Sequence, residues 1–311
     1  MRIAVMGAGG QGGLLGGLLA GAGEDVTLIA RGKHLQAIRE RGLTVRSQTG
    51  GEKVVSPGAT DDPRAVGPVD LVLFCVKVYD LPEAAAQCLP LVGKGTTVLT
   101  VQNGIEAPDQ LREVLGPDPV IGGVSYLQAT VESPGVISHG GFSNRLLLGE
   151  LEGGTSPRAA RVRELFGPTE VEAEEHPDIR LAMWEKLVLL CGTGGVLALV
   201  RLPLGPVLAC EESRDLLRGA MLEAEAVARA SGVALAEGTA DRHFEALQHD
   251  VSPSLRSSQL TDVERGLPLE LESLTGTVVR LGRELGVLTP MNAAVYAGLK
   301  PHVRGAPSPR P

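Results

Sequence analysis

At 311 residues the chain is long enough for two domains, and 43% hydrophobic with 21% charged residues is the balance of a soluble globular protein. A formal net charge of −8, with no basic stripe, argues against a nucleic-acid partner. Cys75, Cys88, Cys191 and Cys210 are widely spaced without a CxxC, and the six histidines form no HExxH, so buried reduced thiols are expected and no metal site.

The first predicted element is an apolar strand, Ile3 to Met6. It runs into Gly7-x-Gly9-x-x-Gly12, and a helix pattern of small residues and leucines continues through Leu19. Each glycine answers a separate need. Gly7 permits the tight turn, Gly9 lets the backbone approach a pyrophosphate, and Gly12 lets the helix pack closely on the sheet. Phosphates would then meet unpaired N–H groups at the helix N-terminus. Gly7, Ala8, Gly9, Gly10, Gln11 and Gly12 are therefore candidate cofactor-binding residues. Asp25 to Ala30 reads as the second strand. Where an NAD site usually carries a carboxylate for the ribose hydroxyl, this chain has Ala30 and Arg31. A guanidinium there favours the 2′-phosphate, so the expected cofactor is NADP(H).

A short helix follows at Lys33 to Arg41, then a polar hairpin pattern around Thr49-Gly50-Gly51. Asp70 to Val76 is a near-continuous apolar run, as a parallel strand covered on both faces requires. Helix Leu81 to Leu91, strand Thr96 to Val101, helix Ile105 to Leu115 and strand Val120 to Val124 complete a rhythm that predicts a doubly wound parallel sheet. From Ser125 to Glu150 the pattern turns to antiparallel strands: Tyr126 to Val131, Gly135 to Ser138 and Leu146 to Leu148. Helix Pro157 to Phe166 and strand Val171 to Ala173 close this half. Beyond Pro177 helical periodicity dominates: Ile179 to Leu199, Glu211 to Ser231, Gly238 to Gln248, Leu255 to Arg265, Leu269 to Leu285 and Pro290 to Lys300. The expected organisation is a Rossmann-type α/β domain at 1–175, an all-α domain at 176–304 and a proline-rich, disordered tail at 305–311.

No signal-peptide pattern opens the chain, and the uncharged apolar stretch Leu187 to Val200 has 14 residues, too few to span a bilayer. It reads as a buried helix, and a cytoplasmic protein with no membrane partner is expected.

Four residues stand out chemically. Lys77 ends the third parallel strand and Asn103-Gly104 the fourth, where such sheets present ligands. Each, taken singly, is equally a solvated strand end or an ordinary turn. Lys186 is the last charge before a long apolar run. Desolvation there lowers a lysine pKa and prepares proton donation to a carbonyl oxygen; the rival reading is a snorkelling lysine beside Trp184. Glu270, in Leu269-Glu270-Leu271-Glu272, is a candidate partner on a largely apolar helix, or simply a solvated carboxylate on its face.

Taken together, these residues make the chain resemble the ketopantoate reductases (2-dehydropantoate 2-reductases) over nearly its whole length, to about Lys300. The resemblance rests on Gly7 to Gly12, Arg31, Lys77, Gln102-Asn103-Gly104, Trp184-Glu185-Lys186-Leu187, Ser257 to Asp262 and Leu269 to Glu272. It implies NADPH-dependent reduction of ketopantoate to pantoate in pantothenate biosynthesis, with the active site in a cleft between the two domains. Lys186 becomes the proton donor and Glu270 the group that positions substrate. Lys77 and Asn103 line the site beside nicotinamide and substrate, and Ser258 bonds the substrate carboxylate. In the family pattern an asparagine usually stands one turn after the lysine, and often another a turn later. Here those places are Leu190 and Gly194, which favours a more apolar 2-oxo acid. A non-catalytic NADP(H) sensor is the rival from another class, and a homodimer the assembly considered.

Overall fold

Apolar strands four to six residues long set the framework, and a glycine-rich helix decides how they are covered. The structure, a computed structural model, describes residues 1–141 and 143–307. It divides into two units, residues 1–102 with 106–182, and residues 103–105 with 183 onward. Strands and helices of the first unit follow in the order β1 (Arg2–Met6), α1 (Gly10–Gly21), β2 (Asp25–Ile29), α2 (Gly32–Arg41), β3 (Leu43–Ser47), β4 (Gly51–Val55), β5 (Gly58–Thr60), β6 (Leu71–Phe74), α3 (Leu81–Cys88), β7 (Thr97–Thr100), α4 (Ala107–Leu115), β8 (Val120–Ser125), β9 (Gln128–Ser133), β10 (Val136–Gly140), β11 (Arg145–Gly149), α5 (Pro157–Leu165) and β12 (Glu172–Glu175).

Eight strands form the main sheet, ordered β12-β11-β8-β7-β6-β1-β2-β5. It is parallel except where β11 meets β8. This is the doubly wound sheet the βα rhythm predicts. Every residue of β6 and β7 is buried, as strands covered on both faces must be. A second sheet, β4-β3-β10-β9, joins two hairpins through a parallel β3–β10 pairing. Helix α1 lies between the sheets, and its glycines allow the approach on both sides. A Cβ at Gly16 would come 2.7 Å from Leu28 of the main sheet, and one at Gly17 2.7 Å from Val45 of the second.

One strand boundary is corrected: the run expected from Tyr126 begins at Gln128. Leu146 to Leu148 is antiparallel as expected, and its partner is β8 of the main sheet. Its leucines are buried there, a burial the exposed β9 could not provide.

In the second unit α6 (Ile179–Leu190) continues as a π-helical segment, Cys191–Val196, into α7 (Leu197–Val200). There follow α8 (Leu204–Ala209), α9 (Glu211–Ala230), α10 (Thr239–His249), α11 (Ser258–Glu264), a second π-helical segment Glu272–Gly276, α12 (Thr277–Leu285) and α13 (Pro290–Leu299). The division between units falls inside α6. Its first turn is bound in the first unit, where Arg180 donates twice to Asp109 (2.9 and 2.7 Å) and once to the Leu151 carbonyl (3.1 Å). Ile179–Val200 is long and apolar enough to cross a membrane by length and composition, yet 67% of its most apolar window is buried, as in a core helix.

Two helix boundaries and the start of the tail differ from expectation. The helix predicted from Leu255 starts at Ser258, where the Ser257 hydroxyl accepts from Leu260 N at 3.1 Å. The helix predicted from Leu269 starts after Glu270. Pro268 is bridged to Arg304, and Leu269 N donates to the Val303 carbonyl, which holds this stretch extended. Gly305 and Ala306, expected in the disordered tail, are hydrogen-bonded to the His302 and Gly266 carbonyls. Ser308 to Pro311 lie outside the described residues.

Candidate active site

The fingerprint loop is built as its glycines require. Gly7 turns with φ +94°, and a Cβ there would strike Val76; one at Gly12 would stand 2.1 Å from the Gly7 carbonyl oxygen. At Gly9 a Cβ would meet nothing within 4 Å. This open face sits where α1 begins, capped by no side chain, so the first-turn N–H groups have no acceptor within the helix. Ala8 N donates to the Ile29 carbonyl and fixes the loop on β2. Gln11 is turned away from the open face: its amide donates to Ser125 Oγ (2.9 Å) and the Leu127 carbonyl (3.1 Å). Gly10 serves packing, because a Cβ there would run into the Ala129 backbone of β9. An open anion-binding turn on a strand–helix junction fits a dinucleotide pyrophosphate.

Arg31 closes β2 and precedes α2. Its guanidinium donates to Gln87 Oε1 at 3.1 Å and stands 3.5 Å from Glu83 Oε1, both on α3, with the side chain largely exposed. Lys77 lies three residues past β6, half-buried, and its carbonyl accepts from Asp80 N. Cys75 and Cys88 are thiols that burial pushes up to about 12, and burial raises Cys191 as well; all four cysteines are free.

The second unit brings Lys186 and Asn103 together. Lys186 Nζ donates to Asn103 Oδ1 at 2.8 Å. Burial pulls the ammonium down from an ordinary 10.5 to about 8, while the Glu270 carboxylate works in the opposite direction. As a whole residue Lys186 is half-buried. Glu270 is only 6% exposed, which excludes the solvated helix-face reading; it precedes the helical segment and faces inward. Asn103-Gly104 is no ordinary surface turn either. Gly104 has φ +93°, and a Cβ there would come 2.5 Å from the Ser273 carbonyl oxygen. Ser258 is the first residue of α11 and exposed.

Neither π-helical segment was expected from the sequence, and each adjoins a candidate position, Leu190 or Glu270. Cys191–Val196 follows Leu190, and Glu272–Gly276 follows Glu270 by one residue. In the first segment a Cβ at Gly192 would meet Met221 at 2.7 Å and one at Gly195 Val295 at 2.9 Å. Glycine at those positions lets α9 and α13 close on the segment. Gln259, not among the expected candidates, is 2% exposed and shares the buried face of α11 with Leu260 and Val263.

Two family models match the chain: "Ketopantoate reductase PanE/ApbA" over residues 3–153 and its C-terminal counterpart over 178–303. A 2-dehydropantoate 2-reductase from Halobacterium salinarum is 33% identical over 292 residues, covering 94% of this chain and 95% of its own. A PanE/ApbA family ketopantoate reductase from Ralstonia eutropha superposes with a TM-score of 0.89 at 35% identity, covering 97% of this chain and 98% of its own. A D-mandelate dehydrogenase, solved with NADH and anilino(oxo)acetate, has a TM-score of 0.88 at 20% identity over 97% of this chain and 98% of its own, a likeness of fold.

Proposed function

The chain belongs to the ketopantoate reductase family and is an oxidoreductase that reduces a 2-oxo acid with a nicotinamide cofactor, and we propose that its reaction is the NADPH-dependent reduction of ketopantoate to pantoate. The observation that carries this reading is Lys186, a buried ammonium lowered to about 8, hydrogen-bonded to Asn103 and within the field of Glu270. A group titrating near the working pH is suited to give a proton during reduction and regain it from water.

Gly7 to Gly12 would hold the pyrophosphate on the first turn of α1, and Arg31 the 2′-phosphate. The reduced nicotinamide, when bound, supplies the hydride to the keto carbon. Lys186 Nζ gives its proton to the keto oxygen, so carbonyl becomes hydroxyl and the lysine is left neutral, a form its burial already favours. Asn103 fixes the ammonium, Glu270 holds it charged before the transfer, Ser258 would bond the substrate carboxylate, and Lys77 would line the site. We place the reaction in pantothenate biosynthesis in the cytoplasm.

Leu190 and Gly194 favour a second reading, a more apolar 2-oxo acid, since neither can hydrogen-bond a substrate through its side chain. Steady-state NADPH oxidation with ketopantoate beside branched and linear 2-oxo acids tests both. Efficient ketopantoate turnover supports the first reading. Poor turnover with a better panel member supports the second, and tight NADPH binding without any turnover would favour a sensor.

A further inference from the structure

Gln259 presents a buried polar group that the reaction outlined above does not use. Its side chain is 2% exposed, and neither Nε2 nor Oε1 has a hydrogen-bond partner among the described residues. A buried amide left unpaired costs on the order of 1–3 kcal/mol, so it is expected to meet a ligand. Its neighbours show where. Were Gly194 to carry a Cβ, the nearest atom would be Gln259 Nε2 at 3.8 Å, and the next Leu190 Cβ at 3.9 Å. Lys186, Leu190 and Gly194 follow at four-residue steps, and the closeness of the last two keeps them on one face despite the π-helical segment. Gln259 therefore borders the face that carries Lys186, about two turns farther on. It does so at the position where glycine leaves room.

We propose that Gln259 is a specificity-determining residue that hydrogen-bonds a hydroxyl group at the end of the 2-oxo acid remote from the keto carbon. An amide offers both a donor and an acceptor. Within a 2-oxo acid, keto and carboxylate oxygens only accept, whereas a hydroxyl does both and can satisfy either end of the amide. The assignment rests on the reading of the chain as a 2-oxo acid reductase. It narrows the substrate class to hydroxylated acids, against the apolar preference that Leu190 and Gly194 alone would give.

The test compares ketopantoate, which carries such a hydroxyl, with trimethylpyruvate, which has hydrogen in its place. Wild-type protein should prefer ketopantoate in kcat/KM by at least about 100-fold, and Gln259→Met should bring the ratio below about tenfold, chiefly through loss on ketopantoate. A ratio unchanged by the substitution, or already near one in the wild type, overturns the role of Gln259 while leaving 2-oxo acid reduction standing. Absence of turnover on every 2-oxo acid overturns the enzymatic reading itself, and this assignment with it. Should Gln259→Met fail to fold, a crystal structure of the wild-type protein with pantoate decides. The pantoate hydroxyl within hydrogen-bond distance of the Gln259 amide supports the role, and a water in its place, with the hydroxyl elsewhere, rejects it.

Discussion

Lys186 Nζ and Asn103 Oδ1 lie 2.8 Å apart although 83 residues separate them in the chain. The lysine cannot simply snorkel to solvent, because the carbonyl end of a turn amide holds its ammonium. With a general acid in that position, Lys186→Met should lower kcat by about 10²- to 10⁴-fold. Cofactor affinity, followed by fluorescence titration with NADPH, should stay within about threefold, since the phosphate loop is untouched. Equal loss of binding and turnover would show that the lysine serves the fold and not the chemistry.

The pH profile follows from the same group. In the proposed reaction Lys186 must be protonated, and burial lowers its pKa from the ordinary 10.5 to about 8. Reductive kcat/KM should be flat below that value and fall about tenfold per unit above it. Glu270 favours the protonated form, so Glu270→Gln should move the break to lower pH. A break that stays fixed would remove Glu270 from the proton-transfer step.

Two fingerprint glycines separate cofactor binding from folding. A Cβ at Gly9 meets no protein atom within 4 Å, while one at Gly12 stands 2.1 Å from the Gly7 carbonyl oxygen. Gly9→Ala should therefore melt like the wild type yet raise KM for NADPH by about tenfold or more, because the methyl enters the space left for pyrophosphate. Gly12→Ala should be markedly less stable by thermal denaturation. Identical melting of both variants would contradict the packing.

The contrast between those glycines also shows what was readable from the sequence. β1, α1 and β2 were legible because strand, glycine spacing and helix are encoded within thirty residues. The joining of the β3–β4 and β9–β10 pairs into a second sheet was not. Its parallel contact pairs Thr44 with Val136, and the exposed residues of β4 and β9 carry no signal for such a distant partner. β5, only Gly58–Thr60, is too short for periodicity to register. The π-helical segments are invisible to a search at helical period, since apolar spacing barely changes over five or six residues. Glu270 looked helical because leucines flank it, and the Pro268–Arg304 bridge with the Leu269–Val303 hydrogen bond shows otherwise. Lys186 and Asn103 could each be singled out. Their contact is a property of the fold.

The proposed NADPH preference rests on Arg31, which stands beside Glu83 and Gln87. An exposed pair of this kind is worth at most about 1 kcal/mol, so a phosphate can recruit the guanidinium away from it. Arg31→Ala should lower kcat/KM with NADPH by about tenfold or more and leave NADH little changed. Glu83→Gln, which removes a carboxylate from the phosphate's neighbourhood, should raise the NADPH to NADH ratio. Equal effects on both cofactors would take Arg31 out of 2′-phosphate recognition.

Stability in the helical unit depends on a carboxylate that works as a helix cap from a distance. Gly238, at the N-cap of α10, has no side chain to bond the first turn, and Glu225 of α9 does so instead. Its oxygens accept from Gly238 N at 2.9 Å and Ala240 N at 2.7 Å, and the residue is buried. The negative charge also faces the positive end of the helix dipole. Glu225→Ala leaves two N–H groups without their acceptor, and should cost about 2–4 kcal/mol in urea unfolding. Glu225→Gln keeps one acceptor and should cost about half as much. Hydrogen exchange localises the effect, because the Gly238 and Ala240 amides should lose protection before the rest of α10. If both variants unfold with the wild type and those amides stay protected, α10 is held by its apolar face alone. Turnover at temperatures where the variants remain folded should be unchanged, since no residue of the proposed reaction touches this cap.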